Sequence, residues 1–235
     1  MKLRIAACLS LLITSPTLVA EPVTADRPGY STGTATVRPG HFNVELGYQG
    51  ASGSHSFPLT NVRIGLTPVT EIDLQWSGWD TATGDIGDLT LGGKYRLLDG
   101  DALQLSLLGL FTLPSGNSHP AGAGIAPFGA LLWSYAAYEQ AGLFGTLQIT
   151  SSDPAALQTR FQAAVGAAFE HTPQLGSYLE LFADLPLNHA GNDSFVLDGG
   201  FTWVLNERTQ LDLHLGLDIN GHAADFIGIG AARSY

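Results

Sequence analysis

The chain has 235 residues, with ten Lys or Arg against twenty-one Asp or Glu, a formal net charge of −11 and one cysteine. This balance excludes a nucleic-acid partner, because phosphate is contacted by Lys and Arg, and one thiol excludes a disulfide framework or a cysteine-built metal or redox centre. Beyond the first twenty residues no run of eighteen apolar residues occurs, so no helix is predicted to cross a bilayer.

Residues 1–20 read as a cleaved secretory signal. Lys2 and Arg4 give a positive start, Ile5 to Ile13 an apolar core too short to span a membrane, and Leu18-Val19-Ala20 a small-residue end suited to cleavage before Glu21. Cys8 falls inside this segment, too early to carry a lipid anchor at the cleavage point. Residues 21–40 are rich in Pro, Gly and Thr without a period, and predict an extended lead that lies in the periplasm or enters a lumen.

From His41 onward, stretches of about ten residues alternate apolar and polar side chains, the period of a strand. His41–Gln49 sets Phe42, Val44, Leu46 and Tyr48 against Asn43, Glu45, Gly47 and Gln49. The same split recurs in Asn61–Leu66, with Arg63 on the polar face, in Glu71–Ser77, with Glu71 and Asp73, and in Asp88–Leu97, with Asp88, Lys94 and Arg96. Leu103–Leu113 is apolar on both faces apart from Gln104, Ser106 and Thr112, and about Pro127–Tyr135 the pattern is weak. Gln140–Ile149 alternates again, followed by Arg160–Glu170 and by Gly176–Leu185, which carry Arg160, Glu180 and Asp184. Phe195–Val204 puts Asp198 on its polar face. The next strand sets Leu211, Leu213, Leu215, Leu217 and Ile219 against Gln210, Asp212, His214, Gly216 and Asp218; the last runs from about Asp225 to Tyr235.

Connectors alternate in length. Thr67-Pro68-Val69-Thr70, Asp99-Gly100-Asp101 and Asn206-Glu207-Arg208 are short, whereas Ala51–Pro58, Gly78–Asp85, Ser115–Ala126 and Asn188–Asp193 are long. Short turns at one end, long loops at the other and an even strand count are how a transmembrane barrel is written. The fold class is therefore all-β: a membrane-spanning antiparallel up-and-down β-barrel of about 12 strands over residues 41–235. Turned inward, so many strands of Leu, Ile, Val and Phe would overfill a soluble barrel; turned outward, they face lipid. Trp76, Trp79, Phe111, Phe128 and Phe195 fall near the long loops, and Tyr95, Trp133, Tyr135, Tyr138, Phe169, Trp203 and Tyr235 near the short turns, as two interfacial girdles. Tyr235 ends the last strand on the face of Ile227, Ile229 and Ala231, a terminal aromatic of the kind read by outer-membrane assembly machinery. The expected location is the outer membrane of a Gram-negative bacterium, with its lipids and that machinery as partners.

Asp26-Arg27-Pro28-Gly29-Tyr30, Arg38-Pro39-Gly40 and Glu45-Leu46-Gly47-Tyr48 resemble the opening of the phenol meta-pathway degradation, or transporter-like, family of outer-membrane barrels. Arg63-Ile64-Gly65-Leu66 with Glu71, Gly93-Lys94-Tyr95-Arg96, Leu113-Pro114-Ser115-Gly116, Asp198-Gly199-Gly200, Gln210-Leu211-Asp212 and Gly228-Ile229-Gly230 follow in the family's order, with Ser115 where Thr is commoner. The resemblance implies a barrel that admits small, often aromatic, molecules.

The remaining motifs carry little chemistry. Gly29-Tyr30-Ser31-Thr32-Gly33 matches the G-x-S-x-G nucleophile pattern but sits in the lead, without the strand and helix that pattern requires. His55, His119, His189 and His222 fall in predicted outer loops without ligand spacing, so no metal, cofactor or catalytic residue is assigned. Glu45, Arg63, Glu71, Asp73, Asp88, Lys94, Arg96, Arg160, Glu180, Asp184, Asp198, Asp212, His214 and Asp218 are the pore-lining candidates. They either line a narrow passage or pair with one another and plug it. Acids outnumber bases among them, which predicts a negative lumen that favours cations. The function expected is a narrow passive channel for small molecules, with a plugged structural barrel as the alternative and a lipid hydrolase behind it.

Overall fold

A computed structural model describes residues 23–117, 124–153, 158–188 and 191–235. The expected leader with Cys8, and the loop histidines His119 and His189, lie outside the described residues. The strands are β1 (Phe42–Ala51), β2 (Ser54–Thr67), β3 (Thr70–Trp76), β4 (Trp79–Asp80), β5 (Leu89–Asp99), β6 (Leu103–Leu113), β7 (Ala126–Tyr138), β8 (Ala141–Asp153), β9 (Gln158–Thr172), β10 (Leu175–Pro186), β11 (Ser194–Asn206), β12 (Thr209–Asp218) and β13 (Phe226–Ser234). β4 is a two-residue stub beside the outer end of β2, with Ser56 opposite Asp80, so twelve long strands make the wall. Each long strand pairs antiparallel with the long strand before it, and β1 closes on β13 with Leu46 opposite Ala231. Closure gives every wall strand two partners, which hydrocarbon demands because it offers exposed backbone no hydrogen bond.

The faces follow the period of two. Along β12, Leu211, Leu213, Leu215 and Leu217 are exposed while Gln210, Asp212, His214 and Gly216 are buried. The barrel therefore wears its apolar side chains outside and its polar ones inside. Trp79 and Phe111 are exposed toward the long-loop end, and Tyr95, Tyr135, Tyr138, Phe169, Trp203 and Tyr235 toward the short-turn end. Tyr235 stacks on Phe42 at 4.8 Å between centroids, and the Arg233 guanidinium lies 5.4 Å from its ring centroid, which gives an outward-facing cation a partner.

Two expectations need correction. Ala51–Pro58 is no long loop. β1 and β2 run on until Ala51 faces Ser54, and the chain reverses through Ser52 and Gly53, whose φ of +78° suits a two-residue hairpin turn. Pro58, which reads as a strand breaker, lies within β2. Phe128 belongs to no girdle: it packs inside against Leu108, Leu110, Ala130 and Leu132. That inner cluster is why the Leu103–Leu113 stretch is apolar on both faces. Of the two places open to the lead, Gly29–Gly33 takes the lumen, held by Glu180 and Phe182.

The lead enters at the short-turn end, where the Val23 amide donates to the Glu207 carbonyl. It rises until Tyr30 stacks on Phe182 at 4.4 Å and accepts a hydrogen bond from Gln148. It then descends to the same end, where the Thr36 hydroxyl donates to the Pro68 carbonyl and β1 begins. Residues 24–40 thus form an inward-folded plug.

Candidate functional site: the charged ring around the plug

An extended segment inside a barrel brings unpaired backbone groups with it, and buried backbone groups must be satisfied. Wall carboxylates meet this need. Glu45 on β1 accepts from the amides of Asp26 and Arg27 at 3.0 and 3.1 Å. Glu180 on β10 accepts from those of Tyr30 and Ser31 at 2.7 and 3.1 Å, and Glu71 on β3 from Val37. Two wall cations take the carbonyls. Arg63 on β2 donates to Thr24 and Ala35 while its Nε lies 2.9 Å from Glu71. Lys94 on β5 donates to the Ala35 carbonyl at 3.2 Å and holds both oxygens of Asp26 at 3.0 Å. Charge-assisted bonds of this kind are about twice as strong as neutral ones.

Asp26, Glu71 and Asp73 bring their oxygens within 4.8 Å of one another, as metal ligands do. The cation there is the protein's own: the Lys94 ammonium stands 3.0 Å from Asp26 and 3.1 Å from Glu71, and the Arg63 guanidinium 3.1 Å from Asp26.

Arg27 anchors the rising leg of the plug. Its Nε and Nη2 donate to the two oxygens of Asp212 on β12 at 3.3 and 3.2 Å. Its guanidinium lies against Gly47 and Gly230, which face each other across β1 and β13; a Cβ on either would come within 2.2 or 2.3 Å of it. Only glycine leaves that space. Nearby, the Tyr178 hydroxyl donates to Asp198 at 3.0 Å, and His214 Nδ1 stands 3.6 Å from the same carboxylate. The Tyr30 phenol, enclosed by the barrel and facing Asp184 and Glu180, is held well above its ordinary range, so it stays neutral.

Of the candidates read from sequence, Glu45, Arg63, Glu71, Asp73, Lys94, Glu180, Asp198, Asp212 and His214 are all buried on the inner face of the wall. Arg96 lies nearer the short turns, bound to Thr36 and Asp99. Arg160 pairs with Asp184 at 2.6 Å toward the long-loop end. Asp88 and Asp218 belong to the rim: Asp88 precedes β5 and accepts the amides of Ser115 and Gly116, and Asp218 ends β12 and accepts that of Asn220. The periodicity overreached there because a strand pattern does not show where the membrane stops. It also missed Asp26, Arg27 and Tyr30, since the lead has no period; the one signal was the Asp26-Arg27-Pro28-Gly29 motif.

The plug divides the interior. Toward the long loops lies a cavity of about 270 Å³, bordered by Glu45, Asn61, Gln75 and Trp76. Toward the short turns lies one of about 490 Å³, bordered by Phe144, Glu170, Tyr178 and Thr202. Asp26 and Arg27 border both.

The sequence matches the family described as "Putative MetA-pathway of phenol degradation" over residues 25–235. No curated protein matches it. An outer-membrane channel from Pseudomonas putida F1 is similar in structure, with a TM-score of 0.66 at 13% identity over 88% of this chain and 100% of that one. The NanC porin superposes with a TM-score of 0.61 at 10% identity, covering 82% and 98%. The KdgM porin, solved with disordered oligogalacturonate, gives 0.58 at 8% identity, covering 82% and 99%. At these identities the likeness shows the barrel fold.

Proposed function

This chain belongs to the phenol-degradation MetA-pathway family, and from that premise we propose that it is an outer-membrane channel passing small molecules without energy input, with the plug as its constriction. The observation that carries the reading is the pair of cavities, about 270 and 490 Å³, that approach each other from opposite ends with Asp26 and Arg27 as their shared border. An interior built only as filler has no need of a hollow on each side of one thin septum. The apolar exterior and its aromatic girdles support insertion in the outer membrane, and Tyr235 closing β13 supports delivery by the barrel-assembly machinery. No catalytic role is assigned to the ring, whose charged groups hold the plug.

The ring holds Asp26, Glu45, Glu71, Asp73, Glu180, Asp198 and Asp212 against Arg27, Arg63 and Lys94, which supports a preference for cations. The density of contacts on the plug favours the second reading, a sealed structural barrel. Planar-bilayer recording separates the two. The wild type is expected to show small discrete conductance steps, and Asp26→Ala with Arg27→Ala larger ones. Silence from both proteins would leave the structural barrel.

A further inference from the structure

His214 on β12 is buried in the lumen, 7% exposed, and its Nδ1 has no hydrogen-bond partner. The wall surrounds it with acids. Asp198 on β11 stands 3.6 Å from Nδ1, its two oxygens accepting from the Tyr178 hydroxyl of β10 at 3.0 and 3.1 Å. Glu180 of β10 lies opposite Asp198. Asp212 is two residues away on the same face of β12. β13 offers the ring no titratable side chain: Phe226 meets it edge-on at 5.6 Å between centroids, and Gly228 makes room for Nε2.

The remaining neighbour belongs to the plug. A Cβ on Gly228 would strike His214 Nε2, and one on Gly230 would strike Arg27 Nε. These glycines are successive inward positions of β13, and alternate residues of a strand are about 7 Å apart. Imidazole and guanidinium therefore lie side by side on one glycine floor. With the plug seated, a charge on His214 faces that guanidinium, while Arg27 already engages Asp212 and the amides of Tyr30 and Ser31 engage Glu180. With the plug withdrawn, the guanidinium leaves, both carboxylates lose their partners and water reaches the ring. All three changes favour the charged ring. Asp198 belongs to the wall, so it partners the charged ring in either state and sets no preference between them. Histidine gains its charge as pH falls through about 8 to 5. Plug withdrawal therefore takes up a proton, and by linkage a fall in pH promotes withdrawal.

We infer that His214 is an acid-operated release for the plug: its protonation loosens Arg27 from Asp212 and widens the constriction. The inference rests on the channel reading only for its effect on conductance; the release itself is a movement of residues 24–40 and is read without any current.

The amides of Asp26, Arg27, Tyr30 and Ser31, which Glu45 and Glu180 hold, report the release. Hydrogen exchange of the refolded barrel is followed by mass spectrometry on peptides spanning residues 26–31. Wild type and His214→Gln are compared at the same pH, so that the intrinsic pH dependence of exchange cancels. The ratio of wild-type to His214→Gln exchange is expected to rise about tenfold from about pH 7.5 to about pH 5, a coupling of ordinary size. His41→Gln, which removes the histidine at the short-turn end, should follow wild type. A ratio that stays flat, or a response lost in His41→Gln, overturns the switch. Should His214→Gln fail to refold, wild type alone decides: exchange corrected for its intrinsic pH dependence should show a one-proton transition within about pH 5–8, and a transition only below about pH 5 belongs to carboxylates and overturns the switch. Planar-bilayer recording at the same two pH values tests the channel separately. An exchange response with no conductance at either pH overturns the channel and supports the switch; conductance with a flat exchange ratio supports the channel and overturns the switch.

Discussion

The two sides of the lumen are made of opposite chemistry. On β1 to β5, Arg63 and Lys94 stand among Glu45, Glu71 and Asp73, and they grip the plug by its backbone. On β6 and β7 the inside is Leu108, Leu110, Ala130 and Leu132 with Phe128, and the plug is touched there through Ser106, Gln104 and Ser134 near the short turns. Both sides are sealed from solvent. Apolar packing narrows the lumen but is non-directional, so it does not fix the height at which a segment sits. Carboxylate and guanidinium bonds are directional, and they set one register for residues 24–40. The apolar side is filler and the charged side is the holder.

The sharpest way to break this contrast is to remove the cation at its centre. Arg63→Met leaves Glu45, Glu71 and Asp26 short of a partner and frees the carbonyls of Thr24 and Ala35. Uncompensated buried charge costs about 3–5 kcal/mol, which urea unfolding in lipid vesicles would report. A loss no larger than that of a surface ion pair, about 1 kcal/mol, would show that the ring is not what holds the plug. The face assignment beneath both sides is tested by Leu213→Arg. Leu213 is 46% exposed beside the buried Asp212, and a cation there should cost about 2–4 kcal/mol of insertion free energy near mid-membrane. Tolerance of arginine at 213 would invert inside and outside. On the filler side, Leu132→Ala removes a side chain that is 0% exposed and should cost about 2–3 kcal/mol through the cavity left behind. Its conductance should match wild type. A conductance larger than wild type from Leu132→Ala would erase the distinction between holder and filler.

How much of this was legible in the sequence depended on periodicity. β12 declared both its faces because ten residues alternate without a fault. β6 did not, because an apolar lumen wall and a lipid-facing wall look alike in sequence, and the weak pattern before Tyr135 has the same cause. Pro58 concealed the outer end of β2. The plug was readable only as an aperiodic lead, since its position comes from partners far away in sequence, 185 residues for Arg27 with Asp212 and 202 for Arg27 with the Ile229 carbonyl. Yet most of the segments that carried the family resemblance meet in space: Asp26-Arg27, Glu45, Gly47, Arg63, Glu71, Lys94, Asp198, Asp212 and Gly230 are all in or beside the ring, while Ser115 and Gly116 stay at the outer rim. Sequence order showed them as scattered short matches, and the closed barrel makes them one site.

The finest test of the holder uses two glycines. Gly47 faces inward beneath Arg27, where an added Cβ would sit 2.2 Å from Nη1; Gly109 faces outward on β6, where an added Cβ meets nothing within 4 Å. Alanine at either position restricts the unfolded chain and favours the strand by roughly 0.5–1 kcal/mol. For Gly109→Ala that gain stands alone, so the variant should be as stable as wild type or slightly more so, with unchanged conductance. For Gly47→Ala the gain is offset, because the guanidinium must swing off Gly230 and loosen its bonds to Asp212. Arg27 is long and flexible and moves at small cost, so net stability should stay within about 1 kcal/mol of wild type. The plug, however, loses the anchor of its rising leg, and larger or longer open events are expected in planar-bilayer records. Equal conductance from the two alanine variants would mean that the seat of Arg27 does not control the constriction, and that Glu45 and Glu180 hold the plug without it.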